Sequence, residues 1–382
     1  MASDQLLSSL RSLAIGRKSL GDYNLILRPN PTSEEQYEQS EIFDSHVEQG
    51  LVLEPEENAL FEMRNLGSRQ KRMKIAAFCD GIRSTYFLGY ENNYPILYTH
   101  NASAIRTREE ATGYHASLHK IYRQQATLLA PFDLFPLPIR NVYERLQLYT
   151  HRSADLCWTG LEDEENGPSY AEMVKMTSQS WHIRARRRAR HLLDLSEQIT
   201  SIAGARLLRE IDSSDANWLL KDGSLVQFKR EYLHQRESLR NIVSCVKTHP
   251  VAFFGTEGER KIMQLEVGQR SVAFLPRPLR EAQKGYTLQQ SYRPMVSWYL
   301  RVRSPNPHNS SLMSGIVRLD IAAVDDWSQW IDEVSWAVLD EFYGISAMPD
   351  QRYDVMPYGI YDCERFLKAQ QISGNLLLAQ LR

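Results

Sequence analysis

Two Asp-Gly pairs stand directly after short apolar runs. Asp80 and Gly81 follow in the segment AAFCDG, and Asp222 and Gly223 follow in NWLLKDG. Each run is typical of a buried strand, and a carboxylate at the carboxyl end of such a strand points into the crevice where open α/β sheets bind ligands. If the two strands are parallel neighbours, both carboxylates reach the same crevice. The plainer alternative is that Asp-Gly is favourable turn chemistry, but its recurrence after two strands favours a shared site.

Such a pair of carboxylates predicts a metal site. Two acidic groups on neighbouring strands repel each other unless a cation lies between them, and Mn2+ or Mg2+ prefers oxygen ligands. A third ligand is needed. The helix before the second strand rises about 1.5 Å per residue against about 3.3 Å in the strand, which places Glu197 beside the carboxyl end of that strand. Asp194 stays possible, Glu210 lies at the wrong end, and Glu197 has the alternative of being an ordinary solvated carboxylate.

A run of basic residues could contact phosphates. The segment HIRARRRARH places five arginines between Arg184 and Arg190. On a helix Arg184, Arg187, Arg188 and His191 share a face, because residues three and four apart are neighbours. We expect this face either to lie along DNA phosphates or to be a solvated helix surface.

Composition excludes several classes of protein. The chain has 382 residues, 42% of them hydrophobic, and a net charge of −2, so it has material for one large domain or two, and its bulk charge does not indicate a nucleic-acid binder. No apolar run reaches the length of a membrane helix, and no secretory signal is visible. Its 4 cysteines form no CxxC pair, which argues against a zinc ribbon and a disulfide scaffold. We expect a soluble, cytoplasmic protein with reduced thiols and no membrane association.

The order of predicted strands and helices favours an α/β fold. Three short strands are predicted in KIAAFCDG, STYFLGY and YPILYTH, with turns at GIR and ENN, followed by helices at about 107–127 and from about Tyr170 to Ile211. NWLLKDG and NIVSCV are then the fourth and fifth strands, and two more strands and two helices close the chain. This order is that of an RNase H-like domain, with a mixed five-stranded sheet flanked by helices and with helical additions.

Five segments, in this order, resemble the NurA nuclease family: AAFCDG with its following hairpin, LLKDGSL, NIVSCVKTH, GIVRLDI and MPYGIYDCERFLKAQQIS. The resemblance covers about residues 60–375. It implies a fold similar to RNase H and Piwi domains and a manganese-dependent DNA nuclease, which forms a homodimer and works with the hexameric HerA translocase in DNA end processing or phage defence. We expect a helical and irregular extension over 1–60, the nuclease domain over 61–375 with a helical insertion at about 101–190, and a tail over 376–382.

The resemblance also assigns site residues. It implies Asp80 as the first-strand aspartate, Asp222 as the aspartate of the DG turn and Glu197 as the helical glutamate, all three as metal ligands. Lys247 matches a lysine that the family has after its fifth strand; its ammonium could contact a phosphate, or it could be a surface lysine that ends a strand. Asp320 lies where the family commonly has an acidic residue.

The chain departs from the family in its last helix. The family pattern YPxxLxxAH places a histidine near position 364, where this chain has Glu364, and Met356 replaces the tyrosine before Pro357. Either Glu364 supplies an outer carboxylate ligand in a two-metal site, or part of the site has been lost. Asp362 is the alternative ligand.

Two other functions are compatible with the sequence. The chain could be a catalytically inactive adaptor that binds a motor ATPase and DNA through its first amphipathic helix and its tail GNLLLAQLR; it lacks a GxxxxGK[ST] loop and is not the motor. A sugar or nucleotide hydrolase with paired carboxylates is the weaker alternative, because no sugar-binding aromatic motif is identifiable.

Overall fold

The computed structural model describes most of the chain from residue 48 onward and a few positions before it. All of the predicted first helix except Arg11, the polar segment 226–235 and most of the tail lie outside the described residues, and the bounds of the three predicted segments of the chain stay a prediction. The described residues are 11, 25–27, 48–55, 59–70, 73–91, 93–108, 116–130, 134–144, 175–211, 216–225, 236–248, 253–278, 295–305, 313–324, 326–342, 355–371, 376 and 379.

Strands dominate the described part of the chain, and five helices of eight or more residues accompany them. The strands are β1 (Leu25–Leu27), β2 (Glu48–Val52), β3 (Met63–Asn65), β4 (Lys74–Glu91), β5 (Tyr94–Arg108), β6 (Ala116–Leu129), β7 (Asn217–Asp222), β8 (Ile242–Val246), β9 (Gln269–Ser271), β10 (Phe274–Pro278), β11 (Met295–Arg301) and β12 (Ile316–Ala322). The helices are α1 (Leu137–Glu144), α2 (Ser178–Ile211), α3 (Gly255–Met263), α4 (Trp327–Asp340) and α5 (Tyr358–Lys368).

All the strands of the described residues join one mixed sheet. Its main path runs β2-β10-β11-β12-β8-β7-β4-β5-β6, while β1 pairs with β4, and β3 and β9 pair with each other beside β11. The strands β4, β5 and β6 form an antiparallel meander, β7 and β8 add in parallel to β4, and β12 returns to antiparallel pairing. The predicted mixed α/β architecture is confirmed. The predicted number of five strands is wrong, because β12 and β11 continue the ladder beyond β8 as fully buried strands.

Two local predictions about the meander are also wrong. KIAAFCDG and STYFLGY are one strand, β4, and the GIR segment is no turn, because its residues pair with Ser103, Ala102 and Asn101 of β5. The turn comes after Glu91, where Asn93 has a φ of 68°. The helix predicted at about 107–127 is strand over 116–127, where pairing with β5 overrides local propensity. The predicted helical insertion at about 101–190 therefore begins with two strands.

Helices cover both faces of the sheet around β4. The long helix α2 packs on one face, where Ala205 and Leu208 join Cys79 in one apolar cluster. The helix α5 packs on the other face, where Ile360 joins Phe78. Since side chains alternate along a strand, residues 77, 79 and 81 of β4 face α2 and residues 78, 80 and 82 face α5. Of the helices in the described ranges, none combines the length and apolar content that a membrane span requires.

The seating of α5 on the sheet predicts the effect of one substitution. A methyl group at Gly359 would overlap the ring of Phe78. We expect Gly359→Ala to be less stable than wild type, because overpacking costs about 1 to 3 kcal/mol and exceeds the roughly 1 kcal/mol that alanine gains over glycine in a helix. Urea unfolding measures the difference. Tyr358→Ala, at a neighbouring side chain that is 49% exposed, is the control and should change stability by less than about 0.5 kcal/mol; a stabilised Gly359→Ala would contradict the close packing.

Candidate active site

Asp80 and Asp222 lie side by side because β4 and β7 are parallel neighbours. The register pairs Cys79 with Lys221, so the next residue of each strand is an aspartate. Both aspartates point to the face of the sheet that α5 covers, since the preceding apolar residues on that face, Phe78 and Leu220, belong to the same core cluster. The strand β7 ends here and turns at Gly223, whose φ is 74°, whereas β4 continues. Asp80 is therefore within a strand, and only Asp222 is at a strand end.

The two aspartates differ in their hydrogen-bond partners. Asp222 Oδ2 accepts from Lys247 Nζ at 2.7 Å, and its Oδ1 accepts from the Gly223 amide at 3.0 Å. Asp80 is 5% exposed, its Oδ1 accepts from the Gly81 amide at 2.8 Å, and no basic side chain of the described residues forms an ion pair with it. Among the described residues, Asp80 is thus a buried carboxyl group without a direct ion-pair partner.

The pKa of Asp80 is raised well above its ordinary value. Burial is the largest cause and repulsion by Asp222 the second, with further repulsion from Glu197 and Glu364; Lys247 opposes these effects. Burial alone would lower the pKa of Lys247, but attraction to Asp222 and Asp80 raises it. Lys247 directly follows β8 and lies against the carboxylate pair, not on the open surface.

Glu197 approaches the pair from the opposite face of the sheet. Its carboxylate, on α2, packs directly over Gly81: a methyl group at that position would overlap Oε1 and lie 2.6 Å from Cγ. Its Oε2 accepts from Lys221 Nζ at 2.7 Å. Glu197 thus lies on the α2 face of the sheet, and the side chains of the two aspartates lie on the α5 face. The absence of a side chain at Gly81 allows the glutamate to come close to the strand.

The two other candidate carboxylates of α2, Asp194 and Glu210, have different surroundings. Burial, followed by repulsion from Glu197, raises the pKa of Asp194 to about 6, so this residue borders the cluster. Glu210 is exposed and pairs with Arg206 on the same helix. The structure therefore places Glu197 nearest to the site, as the comparison of helix and strand lengths predicts, and its role as a ligand stays a prediction.

Glu364 joins the cluster from α5. Its Oε1 accepts from Lys368 Nζ at 2.7 Å, whereas its Oε2 is buried and has no hydrogen-bond partner within the described residues. Its charge contributes to the raised pKa of Asp80. Asp362 pairs instead with Arg106 of β5. Of the two acidic residues predicted on this helix, Glu364 is the one whose charge contributes to the raised pKa of Asp80.

Lys221 is a member of the site that sequence reasoning missed. It is 1% exposed and donates to Glu197 Oε2 and, at 2.5 Å, to the backbone oxygen of Asp222. Burial alone would lower its pKa, but Glu197 raises it above the ordinary value. The available signal was a lysine inside the apolar run NWLLKD, since a charge in a buried strand requires a partner.

Asp320 and the arginines of α2 lie outside the carboxylate cluster. Asp320 is fully buried and accepts from Arg318, Ser224 and Ser297; burial would raise its pKa, but Arg318 and these hydrogen bonds lower it. This network joins β11, β12 and the loop after β7. On α2, Arg187 is exposed and Arg184 and Arg188 are half-buried. Arg188 precedes Glu197 by nine residues, about 14 Å of helix; DNA contact by these arginines stays a prediction.

The donor atoms of the cluster suit a hard divalent cation. They are carboxylate oxygens, the ligands that Mn2+ and Mg2+ prefer, and they include those of Asp80 and the buried Oε2 of Glu364, for which the described residues supply no hydrogen-bond partner. Within the described residues, no group of three or more His, Cys, Asp or Glu side chains is already arranged to hold a metal ion. Asp222 and Glu197 have lysine partners instead.

Comparison with known proteins adds no assignment. No protein-family model matches this chain, and no curated protein matches it.

The raised pKa of Asp80 predicts a pH-dependent effect of its removal. A carboxyl group whose pKa is higher in the folded than in the unfolded state stabilises the fold at low pH and loses this contribution as the pH rises through the folded value. We therefore expect Asp80→Asn, without divalent metal, to be more stable than wild type at neutral pH and to lose this advantage on acidification toward pH 4. Thermal unfolding of both proteins across pH in EDTA tests this. Glu210→Gln should show no such pH-dependent difference, and a destabilised Asp80→Asn at pH 7 would disprove the repulsion.

Proposed function

We propose that the protein is a divalent-metal-dependent deoxyribonuclease that hydrolyses phosphodiester bonds of DNA. The observation that carries the proposal is the side-by-side placement of Asp80 and Asp222 on parallel neighbouring strands, with Glu197 and Glu364 close enough to raise the pKa of Asp80. Such a concentration of buried and partly buried carboxylates is costly unless it serves to bind cations.

The strand order supports an RNase H-like assignment within the larger sheet. The path β6-β5-β4-β7-β8 consists of an antiparallel meander followed by two strands parallel to β4, which is compatible with that domain class, although its third meander strand, β6, is a segment that the sequence predicts as a helix. The NurA-like motifs fall on this part: AAFCDG on β4, LLKDGSL on β7 and its loop, and NIVSCVK on β8. Manganese as the cofactor, homodimerisation, a HerA-type hexameric ATPase as partner, and a role in DNA end processing or phage defence belong to the proposal through this resemblance.

Each residue of the site has its own role in the proposed reaction. Asp80, Asp222 and Glu364 offer oxygen ligands from the α5 face, and Glu197 offers one from the α2 face past Gly81. A bound divalent ion lowers the pKa of an attacking water and stabilises the leaving oxygen. Lys247, held beside Asp222, is placed to bind a phosphate oxygen. Burial raises the pKa of the nearby Cys79 thiol to about 12, so this side chain is no nucleophile at neutral pH.

One observation favours the second candidate, an inactive adaptor that binds a motor ATPase and DNA. Lys247, Lys221 and Lys368 already pair with Asp222, Glu197 and Glu364, so three of the four carboxylates have a cationic partner without a metal ion. In that case the cluster is a remnant of a site and the surface of the chain carries the function.

A cleavage assay separates the two candidates. We expect the purified protein to degrade single- or double-stranded DNA with Mn2+ or Mg2+. Asp80→Asn, Asp222→Asn and Glu197→Gln should each lower the rate at least about 100-fold, because even the partners of metal ligands are worth about 10- to 100-fold. Glu210→Gln changes a carboxylate on the same helix outside the site and should keep wild-type activity.

The opposite results have distinct meanings. Wild-type protein that cleaves no DNA with either metal would favour the adaptor. Cleavage that survives in Asp80→Asn and Asp222→Asn would place the active site elsewhere in the chain.

A further inference from the structure

Lys221 is a charged side chain in a strand that is otherwise buried and largely apolar. Its Nζ donates to Glu197 Oε2 at 2.7 Å and to the Asp222 backbone oxygen at 2.5 Å. The lysine therefore joins α2 to the end of β7, directly behind the aspartate that points to the other face. Its side chain is 2% exposed and that of Glu197 is 12% exposed, so solvent screens this pair little.

The two oxygens of Glu197 have different surroundings. Oε2 lies at the ammonium of Lys221, whereas Oε1 lies over Gly81, the residue after Asp80. A hydrogen bond to one carboxylate oxygen fixes the rotation of the group and thereby the direction of the other oxygen. Lys221 and Gly81 together turn Oε1 toward the strand that carries Asp80.

The ion pair of Lys221 is with Glu197. The groups with the largest electrostatic effects on Asp80 are Asp222, Lys247, Glu197 and Glu364, and Lys221 is not among them. Lys247 forms an ion pair with Asp222 on one face of the sheet, whereas Lys221 pairs with Glu197 on the other face. Lys221 and Lys247 thus pair with different carboxylates, on opposite faces of the sheet.

We infer that Lys221 is a positioning residue for the proposed metal site: it holds Glu197 against Gly81 so that Oε1 is available to a divalent cation shared with Asp80 and Asp222. This inference rests on the proposed function. Partners that orient a ligand are typically worth about 10- to 100-fold in metal affinity. A purely structural ion pair would affect stability alone, so metal affinity distinguishes the two roles.

The test measures Mn2+ binding and thermal stability in parallel. The variants are Lys221→Met, Glu197→Gln and the double variant, and free Mn2+ is counted by electron paramagnetic resonance during titration with Mn2+ alone. We expect Lys221→Met to weaken Mn2+ binding about 10- to 100-fold. The double variant should bind no more weakly than Glu197→Gln alone, because the lysine acts through the glutamate. Arg206→Met, which breaks the exposed Arg206–Glu210 pair of the same helix, is the matched control and should not change Mn2+ affinity.

A second variant reaches Glu197 from its other side. Gly81→Ala keeps both charges of the Lys221–Glu197 pair but displaces the glutamate side chain, because the new methyl group would overlap Oε1, Cγ and Cδ, and we expect a comparable loss of Mn2+ affinity. Should Lys221→Met fail to fold because Glu197 is left buried without a partner, Gly81→Ala and the double variant, which replaces both charges, decide the question.

Two results would overturn the inference. Lys221→Met with a lower melting temperature but wild-type Mn2+ affinity would make the pair structural. Losses of affinity that multiply in the double variant would mean that Lys221 acts independently of Glu197. DNA cleavage by the wild type identifies which proposal fails: an active wild type with an unaffected Lys221→Met rejects the positioning role alone, whereas a wild type that neither cleaves DNA nor binds Mn2+ rejects both.

Discussion

Repulsion between buried carboxylates is the constraint around which this part of the molecule is arranged. Asp80 and Asp222 are brought together by the parallel pairing of β4 and β7, and Glu197 and Glu364 add negative charge from two helices. An isolated buried carboxylate is unfavourable, so each one needs a hydrogen bond, a cation or a proton. Lysines on both faces of the sheet pair with Glu197, Asp222 and Glu364, whereas Asp80 forms no ion pair with any residue that the structure describes.

The large sheet gives this arrangement its rigidity. Fully buried strands continue it beyond β8, and the Asp320 network ties β11 and β12 to the loop that follows Asp222. Helices lie on both faces of β4, so neither α2 nor α5 can move without opening a packed core. Functional groups held on strands and helices are positioned more closely than groups on loops, which suits chemistry that requires fixed oxygen atoms.

Sequence reasoning succeeded where a local pattern determines the structure. The apolar runs of β7 and β8 and the long periodic helix α2 were recognisable, and lengths along helix and strand alone placed Glu197 beside the end of β7. It failed where pairing over long distances decides: Gly81 and its neighbours resemble a turn locally but lie within β4, and residues 116–127 pair as a strand. Lys221 was missed because its partner lies 24 residues away on another element.

The length of α2 has a consequence for how this sequence can change. The helix meets the sheet at Trp181 near one end and at Gly204 near the other, with Glu197 between these two anchors. One inserted or deleted residue between an anchor and the glutamate would rotate the intervening surface by about 100°. Either the carboxylate of Glu197 or one of the two anchors would then point away from the sheet. Point substitutions leave the length of this helix unchanged, whereas an insertion or deletion between the anchors would disrupt the site.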